Sequence, residues 1–148
     1  MESVEAFGIK RVVAAIDTSD YSEIVVARAS AVAVAFSAEI HLISVVELPK
    51  LVASEADIVI QEVRIGEEEF LEHQKKLVDK YLAGRDLHVE MRTLHGDPSG
   101  KIITYAREIK ADLIVIGSKG YGKVHRLLLG GVSEDVVRNA KCSVMIAR

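Results

Sequence analysis

Residues 112–120 are Asp112-Leu113-Ile114-Val115-Ile116-Gly117-Ser118-Lys119-Gly120, an apolar run that ends in two closely spaced glycines. Such a run is typical of a strand in a parallel sheet, because helices cover both faces of that sheet. Ligands of open α/β sheets bind beyond the carboxyl ends of the strands, and glycine lets backbone N–H groups approach an anion closely. The stretch therefore predicts an α/β fold with a binding loop after this strand.

A second pair of glycines, Gly130-Gly131, follows Gly120 after nine residues. The loop from Gly117 to Gly131 has no acidic residue although the formal net charge of the chain is −3, and it carries Lys119, Lys123 and Arg126. A cationic loop that leads into a helix N-terminus is suited to bind an anion. A solvated surface loop with ordinary lysines is the alternative interpretation.

Length and composition restrict the class of protein. A chain of 148 residues fits one domain, which we expect to span 1–148 and to bury a full core. With Cys142 as its single cysteine and no signal-peptide pattern, we expect a cytoplasmic protein. No apolar stretch approaches the ~20 residues that cross a bilayer, and the net negative charge argues against nucleic acid as a partner.

Short β-branched runs alternate with longer helical stretches along the chain. The predicted strands are Lys10–Ile16, Ile40–Val46, Leu87–Leu94, Asp112–Ile116 and Cys142–Ala147. Four helices are predicted between these strands. The first follows strand one and ends near Ser37, and the other three are Gln61–Ala83, Pro98–Ile109 and Ser133–Asn139. This alternation predicts a three-layer, doubly wound, five-stranded parallel sheet of order 3-2-1-4-5 with helices on both faces.

In that strand order the loops after strands one and four meet at the point where the winding reverses. The first of these loops carries Asp17, and the second carries Gly117 and Gly120, so we expect them to line one crevice. Ser19 or Asp20 is the expected N-cap of the first helix. For Asp17 itself, a purely structural role as a turn carboxylate is the alternative.

Two common phosphate-binding motifs are missing from the sequence. The first strand-to-helix turn, Asp17-Thr18-Ser19-Asp20, lacks the glycines of the dinucleotide fingerprint. Gly122-Lys123 is followed by Val124, where the NTPase loop requires Ser or Thr. The binding loop must therefore hold its ligand in another way.

The glycine spacing resembles that of the universal stress protein family, in its ATP-binding branch. The motif of that branch is Gly-x2-Gly-x9-Gly-[Ser/Thr], and Gly117, Gly120 and Gly130 match it. The resemblance extends over essentially the whole chain. Gly131 stands where the motif has Ser or Thr, so the backbone N–H is kept and a hydroxyl next to the phosphates is lost.

This resemblance implies binding of ATP, with Mg²⁺ or Mn²⁺ accompanying the nucleotide, and a role as a nucleotide-responsive regulator. The ligand-contacting residues that it implies are Asp17, Val45, Gly117, Gly120, Gly130, Gly131, Val132 and Ser133. Asp17 is expected to face the adenosine or a metal ion, and Val45 the adenine. Plain N-capping of the last helix is the alternative for Ser133. The resemblance also implies a homodimer joined through the apolar C-terminal strand.

Two further classes of function stay open. A slow ATP hydrolase is one, although no nucleophile with an adjacent base stands out and no catalytic residue is assigned. A dimeric interaction module that binds no nucleotide is the other. The histidines lack metal-ligand spacing, and Cys142 is expected to be a small buried side chain rather than a nucleophile.

Overall fold

Parallel backbone pairing builds the sheet, which we describe from a computed structural model covering residues 3–47, 56–118 and 131–148. Its strands are β1 (Arg11–Ala15), β2 (Glu39–Val46), β3 (Val89–His95), β4 (Leu113–Gly117) and β5 (Ser143–Ala147). Its α-helices are α1 (Ser22–Phe36), α2 (Ala56–Tyr81), α3 (Pro98–Glu108) and α4 (Gly131–Asn139). A short 3-10 helix, Val4–Phe7, precedes β1.

The order of the strands is β3-β2-β1-β4-β5, and all four pairings are parallel. This confirms the order 3-2-1-4-5 predicted from the alternation of strands and helices. Because β1 lies between β2 and β4, the winding reverses there, and a crevice at the carboxyl ends of these strands follows from the topology.

Alternate residues of the strands form two separate cores. Val12 and Ala14 face α1 and α2, while Val13 and Ala15 face α3 and α4. Val12, Val13 and Ala14 are fully buried, as expected for a central strand covered on both faces. Among the described residues, no helix is both long enough and apolar enough to cross a membrane.

Helices α1 and α4 begin at positions that differ from the sequence predictions. Neither Ser19 nor Asp20 caps α1: the helix begins at Ser22, and the residue before it, Tyr21, makes no side-chain capping bond. The hydroxyl and N–H of Ser19 are used by Asp17 instead, which delays the helix. Likewise α4 begins at Gly131, so Ser133 lies inside the first turn and is not the N-cap.

Helix α2 is longer than predicted. It begins at Ala56, five residues before the predicted start at Gln61, and ends at Tyr81 shortly before Gly84, whose φ is +74°. Inside α2, Gln74 is fully buried and donates from Nε2 to Ser44 Oγ (2.9 Å) and to the carbonyl of Arg92 (3.1 Å). This side chain ties α2 to two strands.

A chain of polar side chains joins β1, β2 and α3. Arg11 Nε lies 3.3 Å from Glu39 Oε2, and His41 Nε2 lies 3.4 Å from the same oxygen. The other ring nitrogen of His41 is 2.7 Å from Tyr105 Oη. The hydrogen bond from His41 is the main reason that the pKa of Glu39 lies below its ordinary value of 4.5.

The lowered pKa of Glu39 predicts how stability changes with pH. The folded carboxyl binds a proton less readily than the unfolded one, so its contribution is present above pH 4.5 and is lost as the pH falls through the folded pKa. The Glu39 side chain is 40% exposed, so we expect Glu39→Gln to lower the free energy of unfolding at pH 7 by less than about 1 kcal/mol. At about pH 3 the difference from the wild type should disappear.

Urea unfolding at both pH values measures this effect. Glu72→Gln is the matched control, since Glu72 is exposed and has no ion pair among the described residues. An equal difference between Glu39→Gln and the wild type at both pH values would contradict the assignment.

Candidate functional site

Three strand ends lie side by side at the carboxyl edge of the sheet. Ala15 of β1 is paired with Ile43 of β2 and with Ile116 of β4. Asp17 and Val45 each lie two residues beyond a member of this row, while Gly117 lies one residue beyond. Asp17 and Gly117, which the sequence analysis expected to line one crevice, therefore emerge from adjacent strands at the point where the winding reverses, and Val45, which the resemblance implies as an adenine contact, lies on the strand next to Asp17.

Asp17 is held in a tight turn directly after β1. Its Oδ1 accepts hydrogen bonds from the N–H of Ser19 (2.8 Å) and the hydroxyl of Ser19 (2.5 Å), and it lies 3.0 Å from Ser22 Oγ. The backbone N–H of Asp17 donates to Ser22 Oγ over 3.2 Å. Asp17 is thus a turn carboxylate, as the structural alternative proposed, and it lies at the crevice as well. Its Oδ2 accepts no hydrogen bond from the described residues.

Helix α4 begins with three of the predicted ligand residues. Gly131 and Val132 are exposed, whereas Ser133 is only 3% exposed. A Cβ added to Gly131 would meet no described atom within 4 Å. The backbone N–H groups of a first helical turn have no partner within the helix, and the positive end of the helix dipole favours an anion there.

The start of α3 lies next to α4. Asp97 caps α3 by accepting from the N–H of Gly100 (2.8 Å), and Ser99 Oγ donates across to Asp135 Oδ2 of α4 over 3.3 Å. Since α3 follows β3 directly, this contact fixes the first turns of α4 close to the carboxyl edge of the sheet. The N-terminus of α4 and the strand ends therefore share one side of the molecule.

Several sequence predictions concern residues outside the described ranges. Gly120 and Gly130 are the predicted phosphate-binding glycines among them, and Lys119, Lys123 and Arg126 are the basic residues. In the parts of the chain that the structure describes, no group of three His, Cys, Asp or Glu side chains is arranged to hold a metal ion. Cys142 is half-buried, and burial raises the pKa of its thiol, which disfavours the nucleophilic thiolate.

The sequence analysis missed Ser22. This residue is 2% exposed, and its Oγ contacts three groups of Asp17: the backbone N–H, the backbone carbonyl and the carboxylate. The available signal was the spacing Asp17-x-Ser19-x-x-Ser22, which places two hydroxyls within reach of one aspartate at a strand-to-helix turn. The expectation that Ser19 or Asp20 caps the helix concealed this pattern.

A doubly wound α/β sheet with an aspartate and glycines at its switch point defines a class of ligand-binding domains. Within that class, the model of the universal stress protein family matches residues 8–148. The chain belongs to the universal stress protein family.

Similar proteins support the same assignment. A universal stress protein of Methanocaldococcus jannaschii is 34% identical over 143 residues, which cover 94% of this chain and 82% of that protein. A universal stress protein of Lactobacillus plantarum has the same fold, with a TM-score of 0.89 at 20% identity over 95% of this chain and 99% of the other. A universal stress protein solved in complex with cAMP has a TM-score of 0.66 at 26% identity over 95% and 98% of the two chains.

Proposed function

We propose that the chain binds ATP in the crevice at the carboxyl edge of the sheet and acts as a nucleotide-responsive regulator. The observation that carries the proposal is the meeting of Asp17, Val45 and Gly117 at the switch point, on the side of the molecule where α4 begins. The cAMP complex of a related protein supports an adenine nucleotide as the ligand.

Each predicted site residue has a role in this proposal. Val45 contacts the adenine through its backbone, and Gly117 leaves space for the ribose. The phosphates lie against Gly120, Gly130 and the first turn of α4, formed by Gly131, Val132 and Ser133. The positive end of the α4 dipole and the backbone N–H groups of Gly131 and Val132, which have no acceptor within the helix, stabilise the negative charge of the phosphates.

The residues fit a divalent cation that enters with the nucleotide. Mg²⁺ and Mn²⁺ take oxygen ligands, and Mg²⁺ is usually held by one or two carboxylates together with substrate phosphates. Asp17 Oδ2 is a carboxylate oxygen to which the described residues donate no hydrogen bond. Asp17 can therefore serve either as a metal ligand or as the acceptor for a donor group of the adenosine.

We also propose a homodimer joined through β5, because the two edges of the sheet differ in character. The edge strand β3 carries an ion pair on its surface, Glu90 to Arg92 at 3.4 Å, and edge charges discourage pairing with another sheet. The other edge strand, β5, is Ser143-Val144-Met145-Ile146-Ala147 and has no charge. Antiparallel pairing of two β5 strands about a two-fold axis satisfies the free backbone groups of this edge.

Calorimetric titration with Mg-ATP tests the proposed function. We expect binding to the wild type, and binding about tenfold weaker for Asp17→Ala, the loss associated with one hydrogen bond to a charged group. Asp20→Ala, in the same turn but exposed, is the matched control and should bind as the wild type does. No heat at millimolar nucleotide would contradict the proposal and favour the interaction module. ADP formation in the same samples tests the slow hydrolase.

Gly131→Ser should strengthen ATP binding by up to about tenfold, since it restores the motif hydroxyl next to the phosphates. The backbone of Gly131 is helical, and open space surrounds its Cα among the described residues, so serine fits without strain. Gly131→Ala is the matched control, because it adds the Cβ and helix propensity without the hydroxyl. If both variants change the dissociation constant equally, the hydroxyl makes no contact with the phosphates.

Val144→Lys should convert the dimer into monomers at micromolar concentration in sedimentation experiments, because it places like charges close together across the two-fold axis. Ile65→Lys is the matched control: Ile65 is 50% exposed on α2, which packs against β2 and β3 toward the opposite edge of the sheet, and its replacement should leave the dimer intact. A folded Val144→Lys dimer of unchanged stability would place the interface on another surface.

A further inference from the structure

Two serine side chains fix the carboxylate of Asp17. Ser19 donates to Oδ1 from both its N–H and its hydroxyl. Ser22 Oγ lies 2.7 Å from the Asp17 carbonyl oxygen and 3.0 Å from Oδ1, and it accepts from the Asp17 N–H. The hydrogen bonds described for this carboxylate therefore all end on one of its two oxygens.

This arrangement separates the two carboxylate oxygens by role. Oδ1 is occupied by serine donors, while Oδ2 accepts no hydrogen bond from the described residues. A side chain that is already fixed in one rotamer loses less conformational entropy when it contacts a ligand. The serines thus prepare Oδ2 to accept a hydrogen bond or to coordinate a cation.

Ser22 has the more fixed position of the two serines, and its hydroxyl proton is shared between the Asp17 carbonyl oxygen (2.7 Å) and Oδ1 (3.0 Å), so it holds both the backbone and the side chain of Asp17. It is 2% exposed, it is the first residue of α1, and its backbone N–H donates to the Ser19 carbonyl over 3.1 Å. The Ser22 side chain is therefore attached to a packed helix, whereas Ser19 belongs to the half-buried turn before it. Rigid elements place functional groups more accurately than loops do.

We propose that Ser22, assisted by Ser19, is a positioning residue that holds the Asp17 carboxylate with Oδ2 directed toward the ligand. This inference rests on the proposed function for its ligand, ATP. It assigns to a buried hydroxyl a role in affinity although that hydroxyl itself does not contact the nucleotide.

The test is a double-mutant cycle on the ATP dissociation constant with Ser22→Ala, Asp17→Ala and the double variant. Ser22→Ala should weaken binding by about fivefold to tenfold, and in the Asp17→Ala background the same change should have no further effect. Equal losses in both backgrounds would show that Ser22 acts through general stability, and they would overturn the proposal.

Ser30→Ala is the matched control for Ser22→Ala. Ser30 lies on the same helix and is also buried, at 4% exposure, but its hydroxyl has no hydrogen-bond partner among the described residues. Its replacement should leave ATP affinity unchanged. A loss of affinity in Ser30→Ala as large as in Ser22→Ala would also overturn the proposal.

Crystal structures of the ligand-free variants give a readout that does not depend on ATP. The Asp17 carboxylate should change rotamer or occupy several in Ser22→Ala, and should stay fixed in Ser30→Ala. An unchanged Asp17 rotamer in Ser22→Ala overturns the positioning role even if ATP binds. Absence of ATP binding to the wild type, with the rotamer change present, instead rejects the proposed function and leaves the support of Asp17 by Ser22 established.

Repeating the double-mutant cycle under two conditions shows whether Oδ2 contacts the nucleoside or the divalent cation. With Mg-ATP and with ATP in EDTA, the same coupling between Ser22 and Asp17 means that Oδ2 accepts from an N–H or O–H group of the nucleoside. A coupling that requires Mg²⁺ means that Oδ2 coordinates the cation.

Discussion

The pairing of β1 with β2 on one edge and with β4 on the other is the constraint on which the rest of the structure depends. β1 is only five residues long, yet Val12, Val13 and Ala14 are fully buried between two helical layers. β1 sets the register between the two halves of the sheet, because Ala15 pairs with Ile43 of β2 on one side and with Ile116 of β4 on the other. A one-residue slip would exchange the two cores and bring polar groups inside.

The same constraint creates the site. Because α1 follows β1 and α4 follows β4, and these two helices cover opposite faces of the sheet, a crevice is expected between the carboxyl ends of β1 and β4. Asp17 follows the central strand immediately, so its position is fixed by the best-buried part of the sheet. The carboxylate is then secured from the other side by α1, through Ser22. The hydrogen bonds between Asp17 and Ser22 thus both position the carboxylate and join the end of β1 to the start of α1.

The strand order, the parallel pairing and the family could all be predicted from the sequence, because β-branched runs and glycine spacing are local signals. The start of α1 could not, since each of the four consecutive residues from Asp17 to Asp20 is of a type that can cap a helix, and only tertiary placement decides among them. Asp17 follows the central strand, and its carboxylate accepts a hydrogen bond from the Ser19 N–H. Ser19 is therefore part of the turn, and α1 begins only at Ser22. The early start of α2 at Ala56 had no periodic signal strong enough to predict it.

Ser133 shows why a helix start matters for a binding site. Had it been the N-cap, its hydroxyl would be committed to the helix and the chain before it would be extended. With α4 beginning at Gly131, the first turn instead presents an exposed glycine and an exposed valine ahead of a buried serine. The exposed backbone at Gly131 can then approach an anion closely, while Ser133 and Val136 anchor the turn to the core. In the proposed site, the two additional helical residues would therefore let α4 contact the ligand through backbone N–H groups rather than through a side-chain hydroxyl.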